Sequence, residues 1–328
     1  MPLHPILAAL AEQEKEQGAP EISAVTPASI RNWLIDLRAQ MGSGPAVGPI
    51  KPLTIPTRDG SIPARLYRPL AESLGLIVHL HGGGWVAGAL DDFDTLARHL
   101  VDRSDCAVLM VDYRLAPEAP FPAALSDCED AVRWASDHLS ELAGRSVPFV
   151  VMGESAGGNL AAVVCNTLKN KVPIALQVLN YPVTDCNFDT DSYIRNAEGP
   201  ILTRDAMKWF FGQYAPEELW IDERVSPLRA DLRGVPPTFI ATAEYDVLRN
   251  DGEAYAERLA AHAVPVELKQ FDGLAHGFTI FANLIDTASD ALDTIAAAIK
   301  SRCMGSKAHA GSNAVPIDAH AIGARRSP

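Results

Sequence analysis

Ser155 stands in Gly153-Glu154-Ser155-Ala156-Gly157, between a short apolar block at 147–151 and a run in which Leu160, Val163, Val164 and Leu168 recur at helical spacing. A strand that turns sharply into a helix, with glycines flanking a serine, is the nucleophile-elbow pattern. It strains the serine backbone, pushes the hydroxyl outward and sets the Ala156 N–H at a helix N-terminus, where negative charge is favoured. Alone the pentapeptide is weak, because chance yields it in roughly one chain in ten of this length. A serine hydroxyl also needs a histidine to take its proton and a carboxylate to orient that histidine. Both follow later apolar blocks: Asp246 beyond 238–243, and His276, in the Gly-bounded stretch 273–277, beyond 266–271. Glu244 rivals Asp246, since alternation puts the two on one side of an extended segment; Asp246 lies further past the strand end, where catalytic groups gather in open sheets. A second oxyanion segment is offered by His81-Gly82-Gly83-Gly84-Trp85, directly after an apolar block at 76–80. Its side-chain-free backbone lets Gly83 and Gly84 donate beside Ala156.

These groups require a scaffold that brings strand ends together. From residue 74 the chain alternates: strands at 76–80, 107–111, 147–151, 174–179, 238–243 and 266–271, with helices at 93–102, 123–139, the segment after Ser155, 251–262 and 284–300. Such alternation predicts an α/β fold with a mostly parallel sheet covered on both faces. A hairpin at 53–57 and 62–68 around Asp59-Gly60 makes the sheet mixed. Two helices, 3–17 and 27–40, precede it as a lid element. The second is capped by Thr26 and has Ile30, Trp33, Leu34 and Leu37 on one face. Between 183 and 227 the alternation stops in a stretch rich in aromatics, which either lines an apolar pocket over the sheet or packs as a small core of its own. The expected organisation is therefore an N-terminal cap and linker at 1–49, a core at 50–182 and 228–300, an insertion at 183–227, and a flexible tail at 301–328.

Composition narrows the function. The 328 residues are 48% hydrophobic and 21% charged, enough to bury a large core, and the net charge of −13 argues against nucleic acid or an anionic membrane as partner. Five cysteines, odd in number and without a C-x-x-C pair, suggest neither a disulfide framework nor a zinc site. With no secretion signal or stable membrane association expected, they fit a reduced, cytoplasmic setting. No cofactor or metal is implied.

His81-Gly82-Gly83-Gly84-Trp85, Asp112 to Glu118, Gly153 to Gly158, Asp246 to Arg249 and His276-Gly277-Phe278, in this order, resemble the motifs of the hormone-sensitive-lipase-like family of α/β-hydrolases, which includes bacterial carboxylesterases and acetyl esterases. The resemblance covers residues 50 to 300. It implies an α/β-hydrolase fold with a helical cap, Ser155 as nucleophile, His276 as base, Asp246 as its orienter, and an oxyanion hole from Gly83, Gly84 and Ala156. By the same resemblance the substrates are short- to medium-chain esters, held in a slot under the cap by Trp85, Leu202, Trp209, Phe210, Phe211, Leu248 and Phe278. Lactone, carbamate or aryl-amide hydrolysis would use the same groups, and a binding protein on this fold, as in plant gibberellin receptors, lacks a working triad. A homodimer through the last strand is also implied, although Glu267 and Lys269 on that edge could discourage pairing. The chain departs from the family at Val247, where Pro is common, at Asn250, where an acid is common, and at Glu154, where Asp or Thr is usual. Arg114 is expected to pair with Asp112 or Glu118 beneath the site, and His81 to anchor its loop.

Overall fold

The computed structural model describes residues 1–16 and 22–305. The two N-terminal helices are α1 (Pro5–Glu16) and α2 (Pro27–Met41), the second opened by a reciprocal cap: Thr26 accepts from the Ser29 N–H, and Ser29 from the Thr26 N–H. Strands β1 (Ile50–Thr57) and β2 (Gly60–Tyr67) form the antiparallel hairpin, with Thr57 opposite Gly60 across Arg58 and Asp59. Pro52 and Pro56 sit in β1 because it is an edge strand, where a missing N–H costs no ladder bond.

The chain then builds β3 (Leu76–Leu80), α3 (Asp94–Ser104), β4 (Ala107–Val111), α4 (Ala123–Asp137), α5 (Leu139–Ala143), β5 (Phe149–Glu154), α6 (Ala156–Leu168) and β6 (Ile174–Asn180). After the insertion, with α7 (Asp191–Arg195) and α8 (Arg204–Tyr214), come β7 (Thr238–Tyr245), α9 (Arg249–Ala261), β8 (Val266–Ala275) and α10 (Asp286–Gly305). All eight strands form one sheet in the order β1-β2-β4-β3-β5-β6-β7-β8, parallel from β4 to β8. One apolar core packs α4, α6 and α9 on one face; α3, α10 and the N-terminal helices pack on the other. β3, β4 and β5 are buried along their whole length, as their unbroken apolar blocks require. From β3 the chain runs outward one way to β4 and returns to the other side for β5, so a crevice opens at the carboxyl ends of β3 and β5.

Two boundaries move furthest from expectation. β8 continues to Ala275 because β7 also extends, and a register shift between Ala243 and Tyr245 lets Tyr245 pair with Ala275. The final helix runs to Gly305 because Cys303 is buried against the core, so 301–305 are helical; the rest of the expected tail, 306–328, lies outside the described residues. Among the described residues no helix is long and apolar enough to cross a membrane.

Candidate active site

Ser155 is the one residue between β5 and α6, and its backbone is held at φ 55°, ψ −121°, a costly conformation for a non-glycine residue. The flanking glycines serve close approach: a Cβ on Gly153 would lie 2.2 Å from the Gly157 carbonyl oxygen, and one on Gly157 2.0 Å from that of Leu80. The serine therefore carries the strain, and the glycines let helix and strand ends touch.

Ser155 Oγ lies 2.9 Å from His276 Nε2, and His276 Nδ1 lies 2.8 Å from Asp246 Oδ2. The other Asp246 oxygen accepts the Leu248 N–H at 2.9 Å. A buried carboxylate beside Nδ1 fixes the tautomer with the proton there, which leaves Nε2 to accept from the serine hydroxyl. Asp246 is 1% exposed, whereas Ser155 and His276 are each 8% exposed and line a cavity. Glu244 instead accepts the Gly273 N–H at 2.8 Å and pairs with the terminal amino group of Met1. The Asp246 loop is stitched to the insertion: Asn196 donates to the Asp246 carbonyl at 3.0 Å, Ser192 Oγ to the Val247 carbonyl at 2.6 Å, and Asn250 Oδ1 accepts the Ser192 N–H at 2.7 Å. The amide at Asn250 thus holds a helix that its sequence position gave no sign of reaching.

Gly82 to Gly84 cross the crevice above Ser155, Gly83 at φ 111° and Gly84 at φ 62°. Among the described residues the N–H groups of Gly83, Gly84 and Ala156 have no acceptor; Gly83 and Gly84 line the same cavity as Ser155, and Ala156 follows it in the chain. Glu154 holds this loop: Oε1 accepts the Gly82 N–H at 2.8 Å, and Oε2 lies 2.7 Å from His79 Nε2 on β3. His81 bonds the Gly82 carbonyl at 2.8 Å, the anchoring role expected of it, and stacks on Tyr113 with ring centres 4.3 Å apart. Burial pushes its pKa down to about 4, so it stays neutral.

A cavity of about 100 Å³ opens onto Ser155 and His276, walled by Ile30, Trp33 and Leu34 of α2 and by Ile201, Leu202, Met207 and Phe210 of the insertion, with Tyr181, Val183 and Ile280 below. Of the expected pocket residues, Leu202 and Phe210 line it, and the other five do not. Trp85 is fully buried, stacked on Tyr214 at 4.4 Å and edge-on to Phe211 at 5.3 Å, so both rings belong to the packing between glycine loop and insertion. Trp209 packs edge-on behind Phe210, Leu248 is buried under the Asp246 loop, and Phe278 packs against Tyr181 and Phe271. The aromatic insertion thus does both things considered for it: most rings form its own core, and one edge forms a wall. The α2 wall was foreshadowed by its apolar face, which had no assigned partner.

Arg114 pairs with the buried Asp127 of α4 at 2.8 Å and with Asp59 at 2.9 Å, correcting the expected Asp112 or Glu118. Glu118 pairs with Arg31 of α2 at 2.7 Å, and the same guanidinium donates to the carbonyls of Val86 and Ala116, fastening α2 beside the glycine loop.

A family model described as alpha/beta hydrolase fold matches residues 77–280. The chain is 40% identical to carboxylesterase NlhH of Mycobacterium tuberculosis over 248 residues, 73% of this chain and 78% of that one. It is 36% identical to an ethyl acetate hydrolase of Pseudomonas putida over 262 residues, 76% and 82% of the two chains. The solved structure of a hyperthermophilic esterase from the archaeon Pyrobaculum calidifontis aligns with a TM-score of 0.87 at 37% identity, covering 92% of this chain and 99% of that one.

Proposed function

The chain belongs to the α/β-hydrolase family, in its hormone-sensitive-lipase-like branch, and on that premise we propose that this carboxylic ester hydrolase works through an acyl-enzyme on Ser155 and prefers short- to medium-chain acyl groups. The observation that carries the mechanism is the unbroken line Asp246–His276–Ser155 at 2.8 and 2.9 Å, with the backbone N–H groups of Gly83, Gly84 and Ala156 left unengaged among the described residues. His276 takes the serine proton as Oγ attacks the ester carbonyl. The oxyanion forms against the N–H groups of Gly83, Gly84 and Ala156, and His276 returns the proton to the departing alcohol. Water, activated by the same imidazole, then releases the acid. Asp246, bonded to Nδ1, orients the ring and stabilises the imidazolium formed in each half.

The acyl preference rests on the small, largely apolar cavity beneath the lid. Hydrolysis of p-nitrophenyl esters from acetate to palmitate, with Ser155→Ala beside the parent, tests both parts. We expect a maximum at short to medium chains and a loss of about a thousandfold or more in the variant. Turnover retained in Ser155→Ala, or a maximum at palmitate, would overturn the corresponding part. A cytoplasmic setting and pairing of two copies through the β8 edge complete the reading. Five free cysteines support the first, and four consecutive exposed residues on an edge strand support the second.

A further inference from the structure

We propose that Cys106 and Cys303 form a dithiol site that a two-electron oxidant of the hydroperoxide class closes into a reversible disulfide, at the end of the sheet opposite Ser155. The residues lie 197 positions apart, which is why spacing alone gave no hint of a pair. Cys106 immediately precedes β4 and Cys303 lies in the last turns of α10. Their sulfurs are 3.9 Å apart, both residues are at most 1% exposed, and both meet over Gly75. A Cβ on Gly75 would fall 2.5 Å from one sulfur and 3.0 Å from the other, so the missing side chain makes the space in which they face each other. The backbones are already held in register: Lys300 Nζ pairs with Asp105 at 2.5 Å, and Arg302 Nε donates to the Ala175 carbonyl at 2.8 Å. Side-chain rotation within that space is what remains to reach an S–S distance of about 2.0 Å.

The two sulfurs have different roles. Cys106 donates its S–H toward Cys303, and Arg302 is close by, so the Cys303 thiol is the more acidic; the Cys106 thiol, bonded to that sulfur and buried, is pushed up. Cys303 is therefore the attacking thiolate. It attacks the terminal peroxide oxygen, breaks the O–O bond and expels alkoxide, or hydroxide where the oxidant is hydrogen peroxide, to become a sulfenic acid. Cys106 then attacks that sulfur, and water leaves as the S–S bond forms. Two thiols lose two electrons and two protons in all, and hydrogen peroxide ends as two waters. Cys303 is buried between the exposed residues Arg302 and Met304, so local opening of this part of α10 admits a small oxidant. No other cysteine pair has its sulfurs within contact distance among the described residues.

The test is mild hydrogen peroxide treatment of the full-length chain, followed by thiol titration after unfolding, intact mass, peptide mapping and a thermal melt, with Cys303→Ser and Cys106→Ala alongside. We expect titratable thiols to fall from five to three and the mass to drop by about 2 Da. A Cys106–Cys303 linked peptide should appear, and the melting temperature should rise by about 5 °C until dithiothreitol restores it. Ester turnover should stay within about twofold, since the site is remote from Ser155. Five thiols retained while the half-exposed Met304 is oxidised would overturn the proposal. So would a gain of about 16 or 32 Da on Cys303, a linkage between copies, or the same thiol loss in Cys303→Ser. The parent mapping decides the matter even if a variant folds poorly.

Discussion

Glu154 places a carboxylate one residue before the serine and beside the spot where the oxyanion would develop. A buried carboxylate there is costly unless its oxygens are engaged, and both are, by the Gly82 N–H and by His79. The side chain thereby fixes the first residue of the loop whose next two N–H groups are the proposed oxyanion donors. We predict that Glu154→Ala lowers kcat about ten- to a hundredfold with little change in KM, because misaimed oxyanion donors weaken the transition state rather than ground-state binding. Glu154→Gln, whose amide oxygen can still accept from Gly82, should recover most of that loss. Affinity for a trifluoromethyl ketone, which mimics the tetrahedral adduct, should fall in step with kcat. Alanine at 154 with parental kcat and ketone affinity would mean that Gly82 keeps its place unaided. Ser155, Asp246 and His276 were legible in the sequence because each follows a strong strand signal in a fixed order. The Glu154–His79 pair was not: its members are 75 residues apart, and only the adjacency of β3 and β5 brings them together.

Elements were legible where local pattern and burial agree. β3 and β4 begin and end as their apolar blocks do, since strands buried on both faces leave no polar residue to blur the edge. The limits of β8 and α10 were not, because each continues on contacts from distant residues: Tyr245 for the strand, the buried seat of Cys303 for the helix. A tertiary clamp of the same kind joins α9 to the segment leaving β6. Asp251 is buried and accepts the N–H groups of Thr184 and Asp185 at 2.8 and 3.1 Å, and its main-chain carbonyl accepts from Thr184 Oγ1. Burial outweighs those two donors and pushes the Asp251 pKa up to about 8. In the unfolded chain the same group titrates near 4, roughly. Between those values the native state holds a proton that the unfolded state has released, so this group's contribution to stability falls as pH rises and levels off above about 8. Asp251→Asn keeps an acceptor oxygen and removes the titration. Its stability relative to the parent should therefore improve by about 2 kcal/mol from pH 6 to pH 8. Urea midpoints of both proteins across that range check this, and parallel pH profiles would assign the slope to other groups.

For the whole molecule, the proposed pairing of two copies runs through the open edge of β8. Residues 267–270 are exposed on that edge, and an antiparallel partner strand related by a two-fold axis through Leu268 would set Glu267 of one copy against Lys269 of the other, twice. The charges that could discourage pairing in some registers are thus complementary in this one. Exposed ion pairs contribute at most about 1 kcal/mol each, so the backbone ladder must supply most of the affinity and the charges select the register. Each copy also carries a net charge of −13, and that long-range repulsion is screened beyond about 10 Å at 0.1 M salt. A dimer joined this way should tighten between about 0.02 and 0.2 M salt, because the diffuse repulsion is screened more strongly than two short contacts. Lys269→Glu sets like charges opposite each other at both positions and should yield a monomer in sedimentation velocity, with turnover per chain preserved because the edge is remote from Ser155. Adding Glu267→Lys to that variant restores the complementarity with its signs exchanged, and should restore the dimer. A parent monomeric at all salt concentrations, or a Lys269→Glu variant that still dimerises, would place any association on a surface other than β8.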